Sequence, residues 1–185
     1  MKTPVVDMKQ EKINEQMLND CVIANCGICR NLFHGTKKNI SQEIAKTKKT
    51  EESDSGYLGY GFYCYQYDVE ASRIWARKKY PNEKIAVLKL VTNLRNVFFV
   101  CDEIKKILRR KVEELRPGRT DKINKYIGHF VDIFINDVIK SRCNMNIQTV
   151  IGHLKLKVKG QERSTLTYSL RDEKMIKEIG MYWEE

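Results

Sequence analysis

Residues 31–36 read NLFHGT and, after a polar stretch, residues 56–76 read GYLGYGFYCYQYDVEASRIWA. The first segment predicts a strand that ends by exposing His34 and a backbone turn. The second places three glycines among six aromatic residues and then begins a helix at Asp68. Glycine lets a backbone approach a ligand closely, and an aromatic face stacks on flat heterocycles. The pair of segments therefore favours a nucleotide-type ligand over a plain hydrophobic core.

In this order and spacing, the two segments resemble the NAD-binding half of the ADP-ribosyltransferase superfamily. The likeness is in particular to the histidine–tyrosine–glutamate class, which includes diphtheria toxin and the poly-ADP-ribose polymerases along with small bacterial and phage relatives. Each residue alone has a simpler explanation as a satisfied polar group or a core aromatic, so the joint occurrence carries the resemblance. The matching residues are His34-Gly35-Thr36, Gly59-Tyr60-Gly61-Phe62-Tyr63, Ala71 and Trp75.

The resemblance implies an α+β fold with a split, mixed or antiparallel β-sheet and flanking helices. It also implies an NAD-dependent mono-ADP-ribosyltransferase, which cleaves the nicotinamide–ribose bond and passes ADP-ribose to a macromolecular acceptor. The acceptor class would be nucleic acid or a nucleic-acid-associated protein, and the setting a toxin or a phage-conflict enzyme. The absence of an evident acceptor-extension loop favours single transfer over polymerisation.

The same resemblance assigns roles to individual residues. The Gly35 backbone would bind the nicotinamide amide, His34 the adenine-side ribose, and Tyr63 would stack on the nicotinamide ring. A second wall would come from Tyr65 or Trp75, because the second tyrosine of the class is not in clean register here. The implied NAD-binding set is His34, Gly35, Thr36, Tyr60, Gly61, Tyr63, Tyr65 and Trp75.

The catalytic set implied by the resemblance is Glu162, His34 and Tyr63. Gln161-Glu162-Arg163 precedes a late strand, as the catalytic glutamate does in the class, and this carboxylate would bond the nicotinamide-ribose hydroxyl. A shifted register would put Thr167 in that position and leave the electrostatic step in doubt. An ordinary exposed loop glutamate is the competing explanation for Glu162.

Hydrophobic periodicity predicts one α+β domain over residues 1–185. A helical extension occupies 1–28, with its helix at about 8–25, and a helical pair at 102–142 is inserted between strands; such an insert is a candidate for target recognition. The remaining predicted elements are a strand at 30–33, a short helix from 39, an acidic loop at 51–55, a helix from Asp68 to about Lys79, strands at 85–91, 96–100, 150–158 and 166–170, and a short closing helix from Asp172.

The composition favours a protein that stays inside the cell. No apolar run is long enough to span a bilayer, the N-terminal residues lack a secretory core, and no membrane partner is predicted, so we expect a cytoplasmic location. Six cysteines in such a chain indicate free thiols, and Cys26 and Cys29 form a lone CxxC without a second pair at zinc spacing. We predict NAD as a substrate and no metal.

The formal net charge of +10 favours polyanionic partners, although lysine-rich usage alone would also produce it. It supports a non-enzymatic alternative, a basic nucleic-acid-binding module on the same fold. An RNA 2′-phosphotransferase is another alternative on this fold, but only Arg30 lies near His34 among the arginines that such an enzyme needs. The basic residues singled out for a phosphate backbone are the cations of 105–111 and Lys155, Lys157 and Lys159.

Overall fold

The computed structural model describes residues 14–24, 27–50, 53–115, 123–158 and 161–185. Within these ranges the chain is an α+β protein, as predicted, with helices on both sides of a mixed β-sheet. The strands of the described residues are β1 (Val22–Ile23), β2 (Ile28–Lys37), β3 (Ser53–Gly56), β4 (Gly59–Gln66), β5 (Ile85–Leu94), β6 (Val97–Phe99), β7 (Thr149–Val158), β8 (Gln161–Leu170) and β9 (Ile176–Glu184).

The helices follow the predicted order up to the end of the insert. They are α1 (Glu15–Cys21), α2 (Lys38–Thr47), α3 (Val69–Lys79), α4 (Asp102–Leu115), α5 (Ile123–Phe134) and α6 (Lys140–Cys143), with a π-helical turn (Ile135–Ile139) joining the last two. Asp68 caps α3 as predicted, because its carboxylate accepts a hydrogen bond from the Ala71 amide at 2.9 Å. None of the described helices is long and apolar enough to cross a membrane.

The strands lie in the order β1-β6-β7-β8-β4-β2-β5-β9, and β3 pairs with β4 outside this row. Among the described strand pairs only β6 and β7 are parallel, with Val97 opposite Thr149. The helical insert α4–α6 makes this possible, since a parallel connection needs a long crossover. The predicted insert between strands is confirmed, although its Pro117-Gly118 break lies outside the described residues.

Successive residues of each strand point to opposite faces of the sheet, and each face has its own core. Phe98 and Val150 pack under the helical insert, with Ile104 and Leu108 of α4 and Phe134 of α5. The other face is buried under α2 and the turn before β9, and its cluster includes Leu32, Phe62, Leu88, Leu90, Tyr168, Ile44 and Met175. The alternation of buried residues thus divides the aromatic segment between two cores.

The N-terminal helix contributes to the first of these cores. Leu18 and Cys21 of α1 are buried against the insert, so this helix does not simply lie outside the fold. The part of the predicted helix before residue 14 lies outside the described residues.

Three local predictions are wrong. The strand around Phe33 does not end at His34 but continues to Lys37, because its last residues pair with Ile85–Val87 of β5. Ser53–Gly56 forms β3 rather than an acidic loop, and residues 51–52 of that loop lie outside the described residues. The chain closes with β9, after one short 3₁₀ turn, instead of a helix, because β9 completes the free edge of β5.

Candidate functional site

The strands that carry the two diagnostic segments, β2 and β4, are joined at only two positions. Leu32 pairs with Gln66 and Phe33 with Tyr65, and no further pair of their described residues continues this ladder. Beyond Phe33, β2 follows β5 while β4 follows β8. The sheet therefore separates along one line next to His34, the first of the predicted NAD-binding residues.

His34 bridges the two separating strands. Its Nδ1 lies 2.6 Å from the carbonyl oxygen of Tyr63, and its ring stacks on Phe62 with centroids 4.0 Å apart. Burial, together with nearby Lys79, lowers the pKa of His34 to about 4. Because a carbonyl oxygen only accepts, the neutral ring carries its proton on Nδ1 and keeps Nε2 as an acceptor. The predicted exposed histidine is thus half-buried, neutral and held in one orientation.

Gly35 and Thr36 lie deeper in the sheet than the sequence suggests. A Cβ atom on Gly35 would lie 2.0 Å from the carbonyl oxygen of Ser72, so α3 packs directly on the backbone of this strand. Thr36 is buried and pairs with Ala86 of β5. The need for glycine at position 35 is explained by this helix contact before any ligand is considered.

Tyr63 is fixed at both ends of its side chain. Its hydroxyl donates to the Gly59 carbonyl at 2.8 Å and accepts from the Leu58 amide at 2.6 Å. Gly56 packs against the phenol ring, where a Cβ would lie 2.0 Å from the ring. Burial raises the pKa of Tyr63 well above its ordinary value. A ring held in this way is pre-organised, with one surface already covered by the chain.

The start of β4, which contains Tyr60, is held by an ion pair that the sequence did not reveal. Asp132 of α5 accepts from the Tyr60 amide and lies 2.6 Å from the Arg171 guanidinium. The Arg171 side chain is only 3% exposed, donates to the Leu58 carbonyl, and stacks over the Tyr60 ring at 4.2 Å. Burial raises the pKa of Asp132 despite its cationic partner. The helical insert therefore positions the start of β4 directly.

The two glycines of β4, Gly59 and Gly61, leave no room for a side chain, because other protein atoms lie where a Cβ atom would be. A Cβ on Gly59 would lie 2.1 Å from an Asp132 carboxylate oxygen, and one on Gly61 would lie 2.3 Å from the Ser169 hydroxyl. Both glycines have positive φ angles, of 83° and 135°. Tight packing and backbone conformation thus account for them, which weakens the argument that they leave room for a ligand.

The two residues predicted as a second aromatic wall differ in position. Tyr65 is 1% exposed and pairs with Phe33 at the last joined position of β2 and β4. Trp75 is half-buried on α3, next to Ala76, which also packs near Gly35. Tyr65 is therefore a core residue in this structure, whereas Trp75 stays partly accessible on the helix that covers β2.

Glu162 is not brought to the other predicted site residues. It lies near the start of β8, its side chain is 60% exposed, and it pairs with Lys155 at 3.2 Å. The β8 residue level with the junction is Thr167, which pairs with Tyr65. Five residues separate the two positions, which places Glu162 roughly 17 Å away along the strand.

Thr167 is the polar residue at the position where the carboxylate was expected. It is fully buried, and its hydroxyl oxygen has no hydrogen-bond partner among the described residues. A buried hydroxyl without a partner is unfavourable unless water or a bound molecule completes it. The junction is therefore polar and neutral on this side, with Thr167 and Ser169 on the same face of β8.

Residues that matter for this site were missed because they lie far away in sequence. Asp132 belongs to the insert and Arg171 follows the last site strand, so no local motif connects them. A sequence feature that could have indicated this ion pair is Asp132, a charged residue among the apolar positions of the second insert helix.

Within the described ranges, no three His, Cys, Asp or Glu side chains come together as a metal-binding group. The sequence matches none of the family models and none of the curated proteins with which it was compared.

Proposed function

We propose that the protein is an NAD-dependent mono-ADP-ribosyltransferase whose ligand binds at the separation between β2 and β4. The observation that supports this proposal is the position of His34. Its neutral imidazole is hydrogen-bonded to the Tyr63 carbonyl at the line where β2 and β4 separate. In the reaction, the bond between nicotinamide and ribose breaks, the ribosyl carbon bonds to an acceptor nucleophile, and the acceptor loses its proton.

The residues at the junction suit parts of this ligand. The Nε2 atom of His34 is an acceptor for a ribose hydroxyl, since Nδ1 carries the proton. Tyr63 offers a fixed aromatic ring for the nicotinamide. Tyr63 and Thr167 lie on the opposite face of the sheet from His34, because His34 stacks on Phe62, the residue before Tyr63 in β4. A ligand that uses all three residues therefore spans the separation between β2 and β4, and the unpartnered Thr167 hydroxyl bonds a sugar hydroxyl on the far side. We therefore assign to Thr167 the position first expected for Glu162.

With threonine in place of a carboxylate at this position, we expect slower cleavage of the nicotinamide–ribose bond. A threonine hydroxyl orients a ribose but adds no negative charge to stabilise an oxocarbenium-like transition state. Slow, single transfer is the activity that such a site supports.

The test is incubation of the purified protein with labelled NAD and a mixture of cell lysate, RNA and DNA. Label transferred to a macromolecule supports the proposal and shows the acceptor class. Thr167→Val removes the hydroxyl at constant shape, and deletion of a buried unpaired hydroxyl leaves the fold stable. We expect at least a tenfold loss of transfer in this variant, a threshold that corresponds to about 1.4 kcal/mol of transition-state stabilisation.

Glu162→Gln is the matched variant, because this exposed side chain can change without affecting folding. Full transfer by Glu162→Gln with loss in Thr167→Val supports the Thr167 assignment. Loss of transfer in Glu162→Gln with full transfer by Thr167→Val would instead assign the catalytic role to Glu162. Failure of the unmodified protein to bind or consume NAD rejects the transferase proposal itself.

A second candidate function, a basic nucleic-acid-binding module, is favoured by exposed cations on α4 and on β7. Lys106 and Arg109 are exposed on α4, and Lys155 and Lys157 are exposed on β7. Lys155 already pairs with Glu162, and Lys105 with Asp102, so part of this positive charge is balanced. This candidate requires RNA or DNA binding that weakens steeply with salt and is unaffected by NAD.

A further inference from the structure

Two cysteines that are far apart in sequence meet where the N-terminal helix joins the insert. Cys21 is the last residue of α1, and Cys101 immediately precedes α4. Their sulfur atoms lie 3.1 Å apart, with the Cys21 thiol donating to the Cys101 sulfur. A disulfide bond is about 2.05 Å long, so a shift of roughly 1 Å would allow these atoms to bond.

The backbone around the pair is held by the sheet. Val22, next to Cys21, pairs with Phe98 of β6, and Ile23 pairs with Val97. The Cys101 carbonyl accepts from the Lys105 amide at 3.0 Å and so begins α4. The two sulfur atoms are therefore neighbours because of ordered elements on both sides.

We propose that Cys21 and Cys101 form an oxidation site at which an intramolecular disulfide joins α1 to the root of the helical insert. The oxidant is a small-molecule disulfide of the glutathione type. The Cys101 thiolate attacks it, forms a mixed disulfide and releases one thiol. The Cys21 sulfur then gives up its proton and attacks the Cys101 sulfur, which releases the second thiol. One disulfide is formed and one is reduced.

The order of these steps follows from accessibility. Cys101 is half-buried and can meet a small oxidant, whereas Cys21 is 3% exposed and can meet only its neighbour. Burial and the bond to Cys101 raise the pKa of Cys21 to about 12, which keeps it a thiol until the mixed disulfide forms. Cys21 is thus the resolving residue of the pair.

Two other described cysteines, Cys64 and Cys29, do not share this arrangement. Cys64 is buried within the sheet, where its sulfur lies 3.9 Å from the Phe62 carbonyl, and Cys29 is exposed on β2. Cys26 lies outside the described residues. A competing Cys26–Cys29 bond is therefore the alternative that an experiment must separate from the proposed one.

The test uses the full chain with Cys26→Ser and Cys29→Ser, because one tryptic peptide, residues 13–30, carries Cys21 together with both of these residues. The protein is treated with glutathione disulfide, alkylated, digested without reduction and analysed by mass spectrometry. We expect peptide 13–30 joined to peptide 96–105, with the loss of two hydrogen atoms and reversal by dithiothreitol. Adding Cys101→Ser should abolish the joined peptide while the fold, judged by circular dichroism, stays intact.

Two results would overturn the proposal. One is a stable glutathione adduct on Cys101 with Cys21 still alkylated, which would show that the sulfurs do not react with each other. The other is complete alkylation of both residues after exposure to the oxidant. Neither result depends on NAD chemistry, so the oxidation site can fail while the proposed transferase function holds, and the converse is equally visible.

Discussion

A single histidine combines the main properties of the candidate site. His34 is bonded to one strand, belongs to the other, and stacks on Phe62. Its position next to Gly35 was apparent from the sequence, but its neutral state was not, since that depends on burial in the folded protein and on the nearby charge of Lys79 on α3. The motif therefore located the residue, and the packing determines its chemistry.

This histidine should make the stability of the protein depend on pH. The unfolded chain protonates His34 below its ordinary pKa of 6.5, whereas the folded protein does so only below about 4. The contribution of His34 to the free energy of unfolding is therefore fully present above pH 6.5. It decreases by about 3 kcal/mol as the pH falls towards 4. Urea unfolding measured across this range checks the slope.

The matched variants for this measurement are His34→Gln and His129→Gln. His129 is exposed on α5, so His129→Gln controls for the removal of a histidine from the surface. His34→Gln should flatten the curve between pH 6.5 and 4. An unchanged slope in that variant would assign the pH dependence to other groups.

Among the elements, α3 shows how closely local rules and packing can agree. Its cap at Asp68, its length and its end near Pro81 were all evident in the sequence. What the sequence could not show is that α3 rests on the bare backbone of Gly35, with Ser72 and Ala76 as the contacting residues. Gly35, which the sequence motif predicts as a ligand contact, is therefore also the residue on which α3 packs.

Gly35→Ala should therefore destabilise the protein, whether or not NAD binds. Its Cβ would lie 2.0 Å from the Ser72 carbonyl, and either the helix or the strand must move. We expect a loss of about 1–3 kcal/mol, the usual cost of overpacking. Thermal unfolding by differential scanning calorimetry measures it.

Gly180→Ala is the control, because Gly180 also lies in a strand and a Cβ there meets no atom within 4 Å. This variant should be neutral or slightly stabilising, since alanine restricts the unfolded chain. Equal effects of the two substitutions would contradict the contact between α3 and β2.

Long, strongly periodic segments were the predictable part of the whole molecule. The strand β5 and the insert helices follow their hydrophobic pattern, and the α+β class follows from them. β9 was mistaken for a helix because its sequence, IKEIGMYWE, has no strict alternation and only the open edge of β5 gives it a partner. Glu162 was misplaced relative to the motif because register along β8 depends on pairing with β4, which no local pattern encodes.

The last strand should be essential for the molecule to fold. Deletion of residues 176–185 would leave the β5 backbone unpaired along one side and remove Trp183, on whose ring Arg73 packs at 4.2 Å. We expect loss of the cooperative thermal transition and aggregation through the exposed edge, measured by circular dichroism and size-exclusion chromatography. Met181→Ser, a change at an exposed position of the same strand, should keep both properties.

The two-position junction between β2 and β4 has a mechanical consequence. A continuous ladder resists shear because many hydrogen bonds must break together, whereas this line carries only two residue pairs. The contact between His34 and the Tyr63 carbonyl and the apolar contacts of Leu32 and Phe62 also cross this line. Under load we expect the sheet to yield first along this line, where two residue pairs join β2 to β4.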